Sequence, residues 1–258
     1  MFPLKDDIPT RRFPILTVAI IAICTLVYFG FEQGTWGLGQ TGNERVVEYG
    51  AIPYEVTHPG KECEAAGEQV VCEGQPGVRG QAEEQAPTWL TVFTSMFMHG
   101  SLLHLLGNML FLWIFGNNVE DSMGRPKFVI FYLLGGVAAL AGQTLIEPSA
   151  AVPTVGASGA IAAVLGAYAL LYPRARVVTV VFIVFFFTIL ELPALVVLGL
   201  WFVLQVLYGA SDLTQPLGGG GVAYFAHIGG FIFGLLTIKL FADRAQEDYD
   251  RSRRLPVY

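Results

Sequence analysis

Residues 13–31 carry no charge, and nineteen such residues are about what a helix needs to cross the hydrocarbon core of a bilayer. Comparable uncharged runs recur at 96–117, 128–146 and 155–172, and a last one follows Gly218-Gly219-Gly220-Gly221 and reaches about Ile238. A chain built this way must satisfy its backbone inside lipid, which leaves helices or a closed barrel. Runs of this length predict helices. Hydrophobic residues make up 53% of the chain and charged ones 14%, against about 25% charged in an average soluble domain. An integral membrane protein follows, and the formal charge of -6 speaks against nucleic acid as a partner. Residues 1–12 are polar and the run after them lacks a small-residue cleavage site, so a retained first helix is expected instead of a cleaved leader.

The interval 177–208 is too long for one straight crossing and is interrupted by Glu191 and Pro193. Its first part, 177–190, has the length of an interfacial or re-entrant segment, while 192–208 can span. Counted as one crossing, it brings the total to six. The basic residues support that count, because cytoplasmic flanks are enriched in Lys and Arg. With the N-terminus inside, Lys5, Arg11, Arg12, Arg125, Lys127, Arg174, Arg176, Lys239, Arg244, Arg251, Arg253 and Arg254 are cytoplasmic, and Arg45, Lys61 and Arg79 are outside. A seventh span would carry the basic C-terminal tail outside and would separate His227 from Ser158.

The expected organisation is therefore a cytoplasmic tail at 1–12 and a first span at 13–32. An extracytoplasmic loop at 33–88, a helical membrane core at 89–240 and a cytoplasmic tail at 241–258 complete it. Cys63 and Cys72 lie in the polar loop, where an oxidising compartment would let them bond. Two free thiols remain the plain alternative, and a metal pair has only His58 nearby as an extra ligand. Cys24, inside an apolar run, reads as a packed thiol.

Three stretches carry chemistry. Gly156-Ala157-Ser158-Gly159 places a serine at the mouth of the fourth span, and Ala226-His227-Ile228-Gly229-Gly230 with Gly234 places a histidine near the start of the sixth. His99-Gly100-Ser101-Leu102-Leu103-His104-Leu105-Leu106-Gly107-Asn108 opens the second. With six crossings these three spans run in the same direction, so their motifs share one depth. A serine hydroxyl needs a base to become a nucleophile, and a neutral histidine is the usual one. The backbone N–H groups that begin a helix are free donors for an oxyanion, and His104 and Asn108, four residues apart on one helix face, can add side-chain donors. Ser158, Ala162 and Gly166 form one small-residue stripe and Ala226, Gly230 and Gly234 another, which lets two membrane helices approach closely. Gly156 and Gly159 leave room beside the serine for a substrate backbone. His99, five residues before His104, faces elsewhere and suits a cap or a loop contact; Glu191 suits a boundary position and His58 a solvated one.

These motifs resemble those of the rhomboid family of intramembrane serine proteases, in its bacterial six-helix form. Gly156 to Gly159 resembles the GxSG nucleophile motif, His99 to Asn108 the HxxxxHxxxN motif, and Ala226 to Gly234 the AHxxGxxxG pattern, while Val119-Glu120-Asp121-Ser122-Met123-Gly124 resembles a structural turn after the second helix. The resemblance covers about residues 90–238. It implies a six-transmembrane-helix all-α bundle with a long extracytoplasmic first loop. It also implies a Ser158–His227 dyad lacking an acidic third member, and an oxyanion hole of the Ser158 N–H, His104 and Asn108. The implied activity is cleavage of peptide bonds in or near transmembrane segments of protein substrates in the lipid bilayer, through an acyl-enzyme, with no metal and no cofactor. The implied location is a bacterial cytoplasmic (inner) membrane. Two departures stand out: Leu90-Thr91 replaces the Trp-Arg of many members before the second span, and Ala162 replaces the tyrosine that some carry packed beneath the histidine, so that His227 needs another packing partner, for which an aromatic from a neighbouring helix is one candidate. Gly218 to Gly221 suggest a movable cover. A non-catalytic rhomboid-like protein that binds or escorts transmembrane helices is the alternative reading, and a transporter is a third. Oligomeric state and substrate identity are not legible.

Overall fold

The structure is a computed structural model that describes residues 2–34, 42–67, 69–82, 85–183, 186–214 and 222–243. In chain order it runs from strand β1 (Phe2–Asp6) to helix α1 (Ile15–Glu32), then α2 (Gly42–Tyr49) and α3 (Pro53–Thr57). The hairpin β2 (Cys63–Ala66) and β3 (Gln69–Cys72) follows, then α4 (Thr88–Thr94), α5 (Leu102–Met123), α6 (Arg125–Ile146) and α7 (Ser158–Leu171). A second hairpin, β4 (Arg176–Ile183) and β5 (Phe186–Pro193), leads into α8 (Ala194–Thr214) and α9 (Tyr224–Phe241). Five of these helices, α1, α5, α6, α8 and α9, are long and apolar enough to cross a membrane, and α7 is an apolar helix of 14 residues. The protein is thus a polytopic, mainly helical membrane protein.

Helix ends follow local chemistry. The first turn of α1 has no Ser, Thr or Asp cap of its own. Instead the Glu120 carboxylate, from the last turn of α5, accepts the N–H groups of Leu16 at 3.1 Å and Thr17 at 2.8 Å, as well as the Thr17 hydroxyl at 2.8 Å. A carboxylate there satisfies orphan donors and complements the helix dipole. Ser101 caps α5 by accepting the His104 N–H at 3.2 Å. The expected turn after the second span sits later than the sequence suggested: α5 runs through Val119-Glu120-Asp121-Ser122 to Met123. Gly124, at φ +74°, then reverses the chain, and Pro126 lies in the first turn of α6.

Helix α7 is the centre of the bundle, with every residue from Gly159 to Ala169 buried, which is why it is apolar all round and has no polar face. It packs against α9 at backbone contact. A methyl group at Gly230 would collide with the carbonyl oxygen of Gly159, one at Gly234 with that of Ala163, and one at Gly166 with that of Phe231. Helix α6 closes in through Ala139, whose Cβ would stand 2.6 Å from a Cβ at Gly159. Cys24 is fully buried in this core, as expected of a packed thiol.

Two parts differ from the helical expectation. Residues 177–183 and 186–190 are not helical but belong to the paired strands β4 and β5, and residues 2–6, inside the expected N-terminal tail, add a third strand in the order β1-β4-β5. The run is rich in Val, Thr and Phe, which suit a pleated surface, and strand pairing satisfies its backbone where a short helix would leave both ends open. Asp6 anchors this sheet to the bundle: its Oδ2 accepts Asn118 Nδ2 of α5 and the Tyr168 hydroxyl of α7, each at 2.6 Å. The crossing expected at 192–208 is Ala194–Thr214, so Glu191 belongs to β5, where it is exposed.

The described residues of the long first loop form α2, α3 and the hairpin of β2 and β3. Cys63 and Cys72 are directly paired across β2 and β3 and joined by a disulfide. A small core of Val47, Ile52, Tyr54 and the two cysteines forms beneath them. The Tyr54 hydroxyl donates to the Glu73 carbonyl at 2.8 Å, and the Glu55 carboxylate accepts the Cys63 N–H at 2.9 Å. His58, expected to be solvated, stacks on Tyr54 with ring centroids 4.0 Å apart. The loop is tied to the segment before α7, because Thr154 N–H donates to the Ala51 carbonyl at 2.8 Å and Tyr54 N–H to that of Ala150 at 3.0 Å. Gly218 to Gly221, the expected cover, and the C-terminal tail beyond residue 243 lie outside the described residues.

Candidate active site

Ser158 is the first residue of α7, and the backbone sets it there. Gly156 adopts φ +129°, a conformation that L side chains rarely take, and its N–H donates to the Ser95 carbonyl at 2.8 Å. That turn delivers the serine to a cavity of about 630 Å³ whose wall also includes His104 and Asn108 of α5, Trp201 of α8 and His227 of α9.

Ser158 Oγ and His227 Nε2 are 2.8 Å apart, a hydrogen bond between α7 and α9. The close helix contact at Gly230 and Gly234 makes that distance possible, one and two turns below the imidazole. His104 approaches from the third helix. A Cβ placed on Gly156 would lie 2.7 Å from His104 Cε1, 2.9 Å from its Nε2 and 3.4 Å from Ser158 Oγ, so the imidazole and the hydroxyl flank one small space above that glycine. One turn below His104, Asn108 is buried and its Nδ2 has no hydrogen-bond partner among the described residues. A buried amide donor without a partner costs free energy unless something else accepts its hydrogen.

The structure therefore brings together Ser158, His227, His104 and Asn108, with Gly156 and Gly159 at the foot of the serine and Gly230 and Gly234 beneath the histidine. Proton transfer from Ser158 to His227, with donors from Asn108, His104 and the first N–H groups of α7 facing the same space, is chemistry this geometry can support. His99 stands apart from it. Its N–H donates to both Glu32 carboxylate oxygens at 3.0 Å, tying α1 to the start of α5, and its buried ring lies edge-on to His104 with centroids 5.2 Å apart. This is the loop-fixing position expected of it. Cys63 and Cys72 are in the first loop and are not among the residues lining the cavity.

Two residues were missed. Trp201 packs against the His227 ring with centroids 5.8 Å apart, supplying the aromatic neighbour that Ala162 cannot. Gln205, one turn further along α8, has Oε1 2.8 Å from His227 Nδ1. The available signal was a lone polar residue four positions after a tryptophan inside an apolar run, since polar groups within a membrane helix start as functional candidates.

Comparison with known proteins fits this geometry. Residues 86–244 match the Rhomboid domain. The chain is 31% identical over 172 residues to "Rhomboid protein 1, mitochondrial" of Saccharomyces cerevisiae, covering 64% of this chain and 45% of that one. It is 30% identical over 146 residues to "Presenilin-associated rhomboid-like protein, mitochondrial" of Mus musculus, covering 56% and 36%. Over 75 residues it is 41% identical to "Rhomboid-like protein 11, chloroplastic" of Arabidopsis thaliana, covering 29% and 26%. The chain thus spans less than half the length of each of these relatives. A family match over most of the chain, together with a serine, two histidines and an asparagine gathered around one cavity, shows that this multi-pass membrane protein belongs to the rhomboid family.

Proposed function

We propose that the chain is an intramembrane serine endopeptidase that cleaves peptide bonds in or near transmembrane segments of membrane proteins. The observation that carries this reading is the 2.8 Å contact between Ser158 Oγ and His227 Nε2 at a cavity with an unpartnered Asn108 amide in its wall. His227 takes the hydroxyl proton as Ser158 Oγ attacks the scissile carbonyl carbon. The resulting oxyanion is met by the Ser158 N–H, the Asn108 amide and the His104 imidazole. His227 then gives its proton to the leaving amine, the C–N bond breaks, and an acyl-enzyme remains on Ser158. Water, deprotonated by the same imidazole, releases the acid and restores the hydroxyl.

In this reading the catalytic core is residues 89–240, α7 serves as one of six crossings, and both termini are cytoplasmic. The disulfide-bearing loop then faces an oxidising compartment. A bacterial cytoplasmic membrane is the proposed location, although the named relatives are mitochondrial and chloroplastic proteins. The test is cleavage of a labelled single-span substrate in liposomes by wild type, Ser158→Ala and His227→Ala. Each variant should lose about 10³-fold or more in kcat. Equal cleavage by all three would remove the protease assignment and leave a non-catalytic helix-binding protein.

A further inference from the structure

We propose that Gln205 is a positioning residue for the His227 imidazole: an uncharged third member on α8 that selects the tautomer able to accept the Ser158 proton. The proposal rests on the protease reading above. A neutral imidazole carries its hydrogen on one nitrogen only, and the other nitrogen holds the lone pair. For His227 to act on Ser158, the lone pair must be on Nε2, 2.8 Å from Oγ, and the hydrogen on Nδ1. Something must hold that hydrogen.

Gln205 does so through an amide whose orientation is settled by its other end. Its Nε2 donates to the Trp201 carbonyl at 3.3 Å, one turn back on the same helix. A carbonyl can only accept, so the amino end of the side chain belongs there, and the oxygen is left facing His227 Nδ1 at 2.8 Å. Oε1 can only accept in turn, which puts the imidazole hydrogen on Nδ1 and frees Nε2. Trp201 adds the second constraint, its ring lying against the imidazole with planes inclined by 39°. Trp201 and Gln205 are four residues apart, hence on one face of α8, and together form a cradle of one flat wall and one acceptor. They stand where α7 offers nothing, because Ala162, one turn below Ser158, is fully buried and has no side-chain polar atom or ring.

An amide suits the surroundings better than the carboxylate that orients histidine in water-exposed hydrolases. A carboxylate at membrane depth carries a desolvation cost that is offset only while it is paired with the imidazolium, whereas an amide oxygen accepts the same hydrogen from the neutral ring without that cost. Gln205 makes no contact with reacting atoms in this scheme and acts only through His227.

The experiment compares wild type, Gln205→Leu and Gln205→Glu in proteoliposomes with the single-span substrate. It records kcat, KM, melting temperature and the pH dependence of kcat, with Ser158→Ala as the blank. Gln205→Leu should lower kcat by about 10- to 100-fold while KM stays within about twofold. Gln205→Glu restores an acceptor and should recover most of kcat. Its acid limb should move up by about one pH unit, because a carboxylate stabilises the imidazolium. His104 is the other imidazole lining the cavity and is unchanged in both variants, so it cannot account for a shift between them. Wild-type kcat in Gln205→Leu, failure of Gln205→Glu to recover activity, or an unmoved acid limb each overturns the proposal. A loss in Gln205→Leu matched by a collapsed melting temperature, together with an unmoved limb in Gln205→Glu, would assign the glutamine to packing. If wild type and Ser158→Ala cleave alike, the protease reading itself falls and this role falls with it.

Discussion

Replacing Asp6 by asparagine should make the protein more stable at neutral pH while changing little at pH 4. Burial pushes the Asp6 carboxyl from 3.8 up to about 6, with the Tyr168 hydroxyl bond offsetting part of that rise. A raised folded value means that the fold favours the protonated acid. Its contribution is fully present below pH 3.8 and is lost as pH rises through about 6. A shift of about 2 units corresponds to about 3 kcal/mol lost across that window. The amide introduced by Asp6→Asn would carry no charge to desolvate, and its single carbonyl oxygen could accept both the Asn118 amide and the Tyr168 hydroxyl, which in wild type share one carboxylate oxygen. The expected gain at about pH 7.5 is about 1–3 kcal/mol, or about 2–4 °C in melting temperature per kcal/mol. Asp6→Leu should lie below Asp6→Asn at every pH, because it strands both donors. Glu55, which burial raises to about 7, titrates in the same range but equally in all three proteins, so differences between them remove it. Melting curves in detergent from about pH 4 to 8 provide the assay. Parallel wild-type and Asp6→Asn curves, or an Asp6→Asn protein less stable at the alkaline end, would refute the reasoning.

Three further outcomes follow from the geometry. Gly156→Ala must hold a side chain at φ +129° with its Cβ 2.7 Å from His104, so kcat on the single-span substrate should fall by at least about 10-fold through about 1–3 kcal/mol of strain. Gly199→Ala on α8, where nothing lies near the added methyl, should raise the melting temperature slightly, while Gly234→Ala, driven into the Ala163 carbonyl, should lower it by about 1–3 kcal/mol equivalent. The opposite signs of two identical substitutions are the readout. Replacing both Cys63 and Cys72 by serine should cost the first loop about 2–3 kcal/mol and speed limited proteolysis of that loop. Unchanged protease resistance would mean that the Tyr54 and Glu55 contacts hold the hairpin by themselves.

The membrane class, the order of the apolar helices and the meeting of Ser158 with His227 were legible because each rests on local pattern. Uncharged length marks a crossing, and a small residue every fourth position marks a face that another backbone can approach. The sheet was not legible. Residues 2–6 are too few to show a period, and 177–190 sit among apolar runs of helical length, although their β-branched and aromatic content leans toward strands. Pairing of β1 with β4 joins positions about 175 residues apart, and nothing near Phe2 announces Val180 as its partner.

Sequence alone thus determined which segments form long apolar helices and which serine, histidines and asparagine are drawn to one cavity, since hydrophobic length and small-residue spacing are written residue by residue. Tertiary structure decided the rest: that Glu120 caps α1, that Asp6 sits between Asn118 and Tyr168, and that Gln205 and Trp201 of α8 cradle His227. Each is a polar or ring contact between distant segments whose value depends on burial and on a partner's orientation. Those two quantities exist only after the helices have packed.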